Sequence, residues 1–203
     1  MIALIDYGMG NIKSVSKALE TTGIDVKITQ SPEDIRNAKA IVLPGVGAFR
    51  DCMKNLSKLE LISVIKEQIL KGKPYLGICL GMQILFTESE EFGLCKGLDI
   101  FKGKVVRFQL SLGYKIPHMG WNTVKFHKKS RLLEEIKDNS YFYFVHSYYV
   151  SPEDSKVVAG VTDYGVEFTS MIIHENIFAT QFHPEKSQKT GLTLLRNFIK
   201  IIQ

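Results

Sequence analysis

The pentapeptide GICLG, at residues 77–81, is the strongest chemical signal in this chain of 203 residues. Its central residue, Cys79, follows an apolar stretch typical of a buried strand and precedes one typical of a helix. A glycine-x-nucleophile-x-glycine turn at such a junction is a nucleophile elbow, because small flanking residues permit a strained backbone that exposes the central side chain. The helix start favours a thiolate, and the N–H of Leu80 is placed to stabilise an oxyanion. A buried structural cysteine in a tight turn is the alternative interpretation.

A second pattern, His183-Pro184-Glu185, lies much further along the chain. Residues i and i+2 of an extended chain point to the same side, so Glu185 can orient His183 as the general base for a thiol elsewhere. On its own, the pattern is more often a histidine at a strand end beside a solvated glutamate. No other histidine has an acidic residue two positions later, and no metal-ligand spacing joins them.

The predicted strands and helices that must position these residues follow a different pattern in each half of the chain. In the first half, strands are predicted at 2–7, 25–29, 40–43 and 73–78, with helices at 11–22, from 32, at 52–70 and at 80–87. This alternation predicts an α/β fold with a mostly parallel sheet covered by helices on both faces. In the second half, strand patterns at 101–108, 122–126, 141–150, 156–161, 167–174 and 177–182 predict antiparallel additions before a last helix at 192–202. Residues 1–203 are expected to form a single domain.

Composition removes several classes of function. Hydrophobic residues make up 45% and charged residues 23%, as in ordinary globular proteins, and the net charge of +5 is scattered along the chain. A solvated surface is therefore favoured over a nucleic-acid interface. Three cysteines without a CxxC pair support neither a disulfide framework nor a zinc site. The segment Gly8-Met9-Gly10 lacks the third glycine of a dinucleotide loop, since position 13 is lysine. We expect no cofactor, no metal, no membrane association and a cytoplasmic location.

Together, GICLGMQ and QFHPEKS resemble the class I (triad) glutamine amidotransferases, and the order cysteine, histidine, glutamate is that of the family. The resemblance implies a flavodoxin-like fold in which Cys79 attacks the carboxamide of glutamine, His183 shuttles the proton and Glu185 orients His183. A γ-glutamyl thioester is then hydrolysed, and ammonia passes to a synthase. The loop PGVGAF, residues 44–49, is similar to the family's oxyanion loop, where the N–H near Val46 would complement that of Leu80.

Narrower segments are similar to the glutaminase subunits of imidazole glycerol phosphate synthase: DYGMGN at 6–11, PGVGAF, KIPHMGWN at 115–122 and HSYY at 146–149. This resemblance implies a heterodimer with a (βα)8-barrel cyclase that makes imidazole glycerol phosphate and AICAR in histidine biosynthesis. It also implies substrate-binding residues, which are Gly45, Gln83, Glu91, His146, Ser147 and Tyr148. The implied partner-facing residues are Asn11, His118, Met119, Trp121 and Lys186.

Three alternatives remain open at the level of sequence. A paralogous glutaminase that serves another synthase, such as one that modifies surface sugars, keeps the same triad. A cysteine hydrolase or chaperone on the same scaffold also places a cysteine on an elbow, and a non-catalytic binding subunit would retain a dead site. The stretch 109–114 has no assignable feature and is expected to be an exposed hairpin tip.

Overall fold

The computed structural model describes residues 1–110 and 113–203. The strands are β1 Ile2–Ile5, β2 Val26–Thr29, β3 Ala40–Gly45, β4 Tyr75–Cys79, β5 Phe86–Ser89, β6 Cys95–Lys96, β7 Phe101–Arg107, β8 His118–Phe126, β9 Ser140–His146, β10 Tyr148–Pro152, β11 Val158–Asp163, β12 Glu167–His174 and β13 Ile177–Thr180. The helices are α1 Ile12–Glu20, α2 Pro32–Asn37, α3 Phe49–Lys58, α4 Leu61–Leu70, α5 Leu80–Gln83 and α6 Gln188–Ile202. Short 3-10 turns span Arg131–Leu133, Ser155–Val157 and Pro184–Lys186. The hairpin tip expected at 109–114 includes residues 111–112, which lie outside the described residues.

The sheet has a parallel half and an antiparallel half. Its main path runs β2-β1-β3-β4-β13-β12-β10-β7-β5-β6, and the first five of these strands are parallel neighbours. From β13 onward, β12, β10 and β7 pair antiparallel, while β11 and β8 continue from β12 as a branch that ends in β9. The predicted α/β fold, with antiparallel additions in the second half, is confirmed.

Helices cover both faces of the parallel half. Along β1, Ala3 and Ile5 pack into a buried cluster with α2, α3 and α4, whereas Ile2 and Leu4 pack into a second cluster with α1 and α6. Because successive side chains of a strand point to opposite faces, this continuous apolar run is what a strand buried on both sides requires. The two clusters hold β4, and so the end of β4 at Cys79, in the middle of the molecule.

Two predicted helices differ from the observed ones. The helix expected at 52–70 is divided into α3 and α4, and the break falls at Glu60, whose φ is 57°. Both helices bury their apolar side chains in the same cluster, so the helical spacing continues across the break. The helix expected at 80–87 ends at Gln83, Ile84 and Leu85 form a turn, and β5 begins at Phe86.

Candidate active site

The junction of β4 and α5 has the backbone of a nucleophile elbow. Cys79 adopts φ 54° and ψ −104°, in a region that residues other than glycine rarely occupy. Its side chain is only 6% exposed. The strain predicted from the pentapeptide is therefore present at the cysteine itself.

Close backbone approach explains the two glycines of the pentapeptide. A Cβ on Gly77 would lie 2.5 Å from the carbonyl oxygen of Gly81, and a Cβ on Gly81 would overlap the carbonyl oxygen of Leu43 on the adjacent strand β3. Neither obstacle is the flexible end of a side chain. Only glycine fits on both sides of Cys79 without displacing the central strand.

We expect Gly81→Ala to lower the free energy of unfolding by at least about 3 kcal/mol, because its methyl group meets the backbone of a buried strand. Gly160→Ala is the matched control, since its methyl group first meets the Val124 side chain, at 2.8 Å. That side chain can shift, so we expect a loss of about 1–2 kcal/mol. Urea unfolding of the two variants measures the difference. Equal losses would contradict the steric explanation of the motif.

His183 and Glu185 form a buried pair just beyond the end of β13. The Nδ1–H of His183 donates to Oε1 of Glu185 over 2.9 Å, and the two side chains are only 2% and 1% exposed. Among the described residues, His183 Nε2 and Glu185 Oε2 have no hydrogen-bond partner. The Nδ1 contact fixes the ring orientation and leaves Nε2 free to exchange a proton.

The charge on His183 is set by its neighbours. Burial lowers the pKa of His183, but the nearby Cys79 sulfur and the Glu185 carboxylate outweigh that effect and raise the pKa to about 10. An opposite charge at close range favours the protonated ring. At neutral pH the site therefore pairs an imidazolium with the sulfur of Cys79.

A cavity of about 470 Å³ opens above Cys79. It brings together most of the residues singled out from the sequence. It is lined by Val46, Gly47, Cys79, Leu80, Gln83, Glu91, Pro117, Val145, His146, Ser147, Tyr148 and Lys186. Gly45 lies beneath this lining, where a Cβ would overlap the Tyr7 hydroxyl. The volume suits a small metabolite.

Two polar side chains that line the cavity are held by hydrogen bonds, and each keeps one side-chain oxygen available to a ligand. Oε2 of Glu91 accepts the N–H of Phe49 over 2.7 Å at the start of α3. Nε2 of Gln83 donates to the carbonyl of Tyr148 over 2.9 Å and to Oε1 of Gln181 over 3.0 Å. Each side chain is thus held in place from behind and retains an acceptor for a ligand.

A family model described as glutamine amidotransferase class-I matches residues 3–202. The chain belongs to this family. It is a glutamine amidotransferase in which Cys79 lines the cavity and the His183–Glu185 pair is buried beside it.

Close relatives cover the whole length of this amidotransferase. A protein of Aquifex aeolicus named imidazole glycerol phosphate synthase subunit HisH is 56% identical over 196 residues, which are 96% of this chain and 94% of the relative. A HisH subunit of Caldanaerobacter subterraneus is 52% identical and covers 100% of this chain and 99% of its own. A solved glutamine amidotransferase, at 18% identity and a TM-score of 0.76 over 100% and 99% of the two chains, shares the fold.

The residues predicted to face a partner lie outside the cavity, with one exception. Asn11 is exposed at the start of α1, and Met119 and Trp121 are 65% and 45% exposed on β8. Lys186 lines the cavity, as already described. His118 is different, because its ring is only 3% exposed and stacks on Phe144 and Tyr164 rather than facing outward.

The sequence reasoning missed Gln181 in the amidotransferase site. Its Nε2 lies 3.4 Å from the sulfur of Cys79, and it is fully buried. A signal was available, because Gln181 stands two positions before His183 and residues i and i+2 of an extended segment share a side.

A buried pair of histidines, His118 and His146, begins at the cavity wall and extends away from the cavity. His146 Nδ1–H donates to the carbonyl of Tyr148 over 2.8 Å, which leaves Nε2 to accept Nδ1–H of His118 over 3.0 Å. Nε2 of His118 then accepts the amide of Asn122 over 3.3 Å. Burial lowers the pKa of His118 to about 4 and that of His146 to about 3. The nearby charge of His183 also lowers the pKa of His146. Both rings are therefore neutral.

This pair predicts a loss of stability in mild acid. In the unfolded chain both histidines bind protons below about pH 6.5, whereas in the folded chain they stay neutral down to about pH 4. The two histidines therefore cost no stability above about pH 6.5. As the pH falls below that value towards about 4, each of them lowers the free energy of unfolding by up to about 1.4 kcal/mol per pH unit. Urea unfolding between pH 7 and 4.5 measures the slope.

The variant with His118→Gln and His146→Gln should show a flatter slope than the wild type. The exposed His127→Gln is the control substitution. A slope that the double replacement leaves unchanged would contradict the assignment of the two rings as neutral.

Two absences hold for residues 1–110 and 113–203. No helix there has both the length and the apolarity needed to span a bilayer. No group of three or more histidine, cysteine, aspartate or glutamate side chains in that part of the chain is arranged to hold a metal ion.

Proposed function

We propose that this amidotransferase is the glutaminase subunit of a cytoplasmic imidazole glycerol phosphate synthase. It hydrolyses L-glutamine to glutamate and ammonia through a thioester on Cys79. The ammonia passes to a (βα)8-barrel cyclase subunit that makes imidazole glycerol phosphate and AICAR in histidine biosynthesis. The main support is the geometry of the three residues: the strained Cys79 lines the cavity, and the buried His183–Glu185 pair lies beside it. We propose that residues 1–203 form a single domain. The assignment to histidine biosynthesis is supported by relatives named HisH that are about half identical along nearly the full length.

The proposed chemistry uses the proton held on His183. The thiolate of Cys79 attacks the carboxamide carbon, and Nε2–H of His183 protonates the departing nitrogen, which leaves as ammonia. His183, now neutral, takes a proton from water, and the resulting hydroxide attacks the thioester carbonyl. Collapse expels the thiolate and glutamic acid, which loses its carboxyl proton to solvent. Glu185 holds the ring and stabilises its positive charge in both half-reactions.

The negative charge of each tetrahedral intermediate needs hydrogen-bond donors. The N–H of Leu80 follows Cys79 directly, and Val46 lines the cavity opposite it. We assign these two amides as the oxyanion donors. Gly47, with φ 99°, lies in the left-handed region that favours glycine, so the loop can reorient its peptides at little cost. One such donor typically contributes a factor of about 10²–10³ to the rate.

The remaining lining complements the charged end of glutamine. The second carboxylate oxygen of Glu91 suits the ammonium group, and the Gln83 carbonyl offers a further acceptor. The segment Ser147 and Tyr148 supplies polar groups on the opposite wall, beside His146. This arrangement favours a free amino acid with both charged groups over a simple amide.

An apolar surface adjoins the cavity on the outer face of β8 and β9. Cross-strand pairing places Met119 opposite Val145 and Trp121 opposite Tyr143. Val145 also lines the cavity, so the apolar surface reaches the site itself. The ammonium group of Lys186 lies 5.7 Å from the centre of the Tyr143 ring. We propose this face as the cyclase-docking surface, because a sealed contact there would keep ammonia from being protonated in bulk water.

Glutamate production tests the proposal directly. The rate is measured for the chain alone and for the chain with a purified cyclase subunit and its ribonucleotide substrate. We expect about 10²–10³-fold stimulation, because docking completes the oxyanion site. An isolated chain that already turns over glutamine as fast as the complex would contradict this gate.

Two surface variants make the docking test specific. Met119→Glu places a charge on the proposed docking surface and should lose the stimulation. Leu70→Glu is the matched control, since Leu70 is also exposed, at 74%, but lies at the end of α4 away from the cavity. If the cyclase gives no stimulation although Cys79 still reacts with a glutamine-mimicking electrophile, the partner is a paralogous synthase instead.

A further inference from the structure

The sulfur of Cys79 has a second polar neighbour besides His183. Nε2 of Gln181 lies 3.4 Å from Sγ, and the whole Gln181 side chain is buried. Its backbone N–H is bonded to Ser170 on β12, over 2.9 Å, so the residue is held by the sheet rather than by the cavity loops. The contact joins the segment that carries His183 to the elbow that carries Cys79.

The hydrogen bonds behind Gln181 fix which end of its amide faces the sulfur. Nε2 of Gln83 donates to the carbonyl of Tyr148 and to Oε1 of Gln181. A backbone carbonyl only accepts, so the group of Gln83 that meets it must be the nitrogen. Gln181 therefore accepts through its oxygen and presents its nitrogen, a donor, to Cys79.

The same chain of contacts extends outward to β8, one strand of the proposed docking surface. The carbonyl of Tyr148 also accepts Nδ1–H of His146, which is bonded to His118 and through it to Asn122 on β8. Each member has a determined donor and acceptor role. The amide of Gln181 is thus the inner end of a buried hydrogen-bond network, and this network fixes the orientation of the amide.

We propose that Gln181 is a positioning residue that donates an N–H to the Cys79 thiolate and holds it in line with the substrate carbonyl. The inference rests on the proposed glutaminase function. A donor to a charged acceptor is roughly twice as strong as a neutral hydrogen bond, so it stabilises the thiolate more than the thiol. Without it, the sulfur would lose a donor that the sheet holds in place, and its orientation would depend more on His183.

Other titratable groups also face the sulfur and must be held constant in any test. His183 and Tyr7 are its ionisable neighbours, and Glu185 acts on it through His183. Glu91 and Lys186 lie further out in the same cavity. The test therefore changes Gln181 and leaves all five groups in place.

The test compares Gln181→Met with Gln68→Met. The methionine side chain is similar in length to that of glutamine but has no N–H donor. Gln68 is a suitable control because it is also buried, at 7% exposure, and lies on α4 far from the cavity. In the complex with the cyclase, we expect Gln181→Met to lower kcat for glutamine about 10-fold or more, with KM within about 3-fold. Gln68→Met should retain the kcat of the wild type. Both variants should keep synthesis from ammonium salt.

The pH profile of Cys79 alkylation separates positioning from a structural role. Iodoacetamide reacts with the thiolate, and peptide mass spectrometry follows the adduct on Cys79. We expect the midpoint of the profile to rise by about one pH unit in Gln181→Met, because loss of a charge-assisted bond disfavours the thiolate. Gln181→Glu keeps the volume and should lose activity at neutral pH but recover part of it in mild acid, where a protonated carboxyl again donates.

The outcomes are distinct. An unchanged midpoint and an unchanged kcat in Gln181→Met would overturn the inference, and the glutaminase function would stand. If Gln181→Met does not fold, the acid recovery of Gln181→Glu decides, and its absence also overturns the inference. A wild-type complex that forms no glutamate and no Cys79 adduct would instead overturn the proposed function.

Discussion

Replacing Cys79 with alanine will abolish glutamine-dependent synthesis by the complex and leave synthesis from added ammonium salt intact. The two half-reactions use separate sites in the proposed scheme, because glutamine is cleaved at Cys79 and ammonia is consumed at the cyclase. Loss of a nucleophile that forms a covalent intermediate removes the whole pathway, so we expect a decrease of at least about 10³-fold. Product formation with glutamine and with ammonium salt as alternative nitrogen sources measures both halves.

The other two cysteines supply the controls for this prediction. Cys95 is partly exposed, and Cys95→Ser should behave as the wild type. Cys52 is fully buried beside Tyr7, so Cys52→Ser should lower stability while retaining glutamine-dependent activity. Loss of the ammonium-dependent reaction in Cys79→Ala, or retention of the glutamine-dependent one, would contradict the separation of the two sites.

Replacing His183 with alanine should be nearly as severe, whereas Glu185→Gln should be milder. His183→Ala removes the group that protonates the leaving nitrogen and activates water, so we expect a decrease of about 10³-fold or more. In Glu185→Gln, the amide oxygen can still accept the Nδ1–H of His183, so the ring keeps its place. The variant loses the negative charge that helps to raise the pKa of His183. Initial rates of glutamate formation in the complex give the ranking.

A second His–Glu pair provides matched controls for that ranking. His174 and Glu175 are consecutive in sequence, with side chains 44% and 79% exposed, and Nε2 of His174 lies 4.0 Å from Oε1 of Glu175. His174→Ala and Glu175→Gln make the same chemical changes outside the site and should leave the rate unchanged. If Glu185→Gln proved as damaging as His183→Ala, orientation of the ring would not be separable from the charge of Glu185.

The parallel half of the fold was predictable because its signals are local. Buried strands such as β1 are continuous apolar runs, and each helix shows its spacing within its own residues. The elbow was predictable for a similar reason, since the two glycines around Cys79 are required by backbone contacts within the β4 junction and with β3. A short motif can therefore carry the geometry of the site.

Breaks and long-range contacts were not predictable in the same way. The break between α3 and α4 falls at Glu60, which adopts a left-handed conformation although it is neither glycine nor asparagine. The strand expected at 122–126 begins earlier, at His118, because pairing with β9 extends it through the glycine at position 120. Gln181 lies 102 positions from the cysteine it contacts, and hydrophobic periodicity does not report such a distance.

The most direct test of the proposed mechanism is to trap the γ-glutamyl thioester. The complex is mixed with glutamine and the cyclase substrate, quenched in acid during turnover, and digested for peptide mass spectrometry. If Cys79 is the nucleophile, a glutamyl adduct forms on the peptide that contains Cys79, and none forms in Cys79→Ala. An adduct confined to Cys52 or Cys95, or turnover of glutamine with no cysteine adduct while Cys79→Ala stays active, would contradict it.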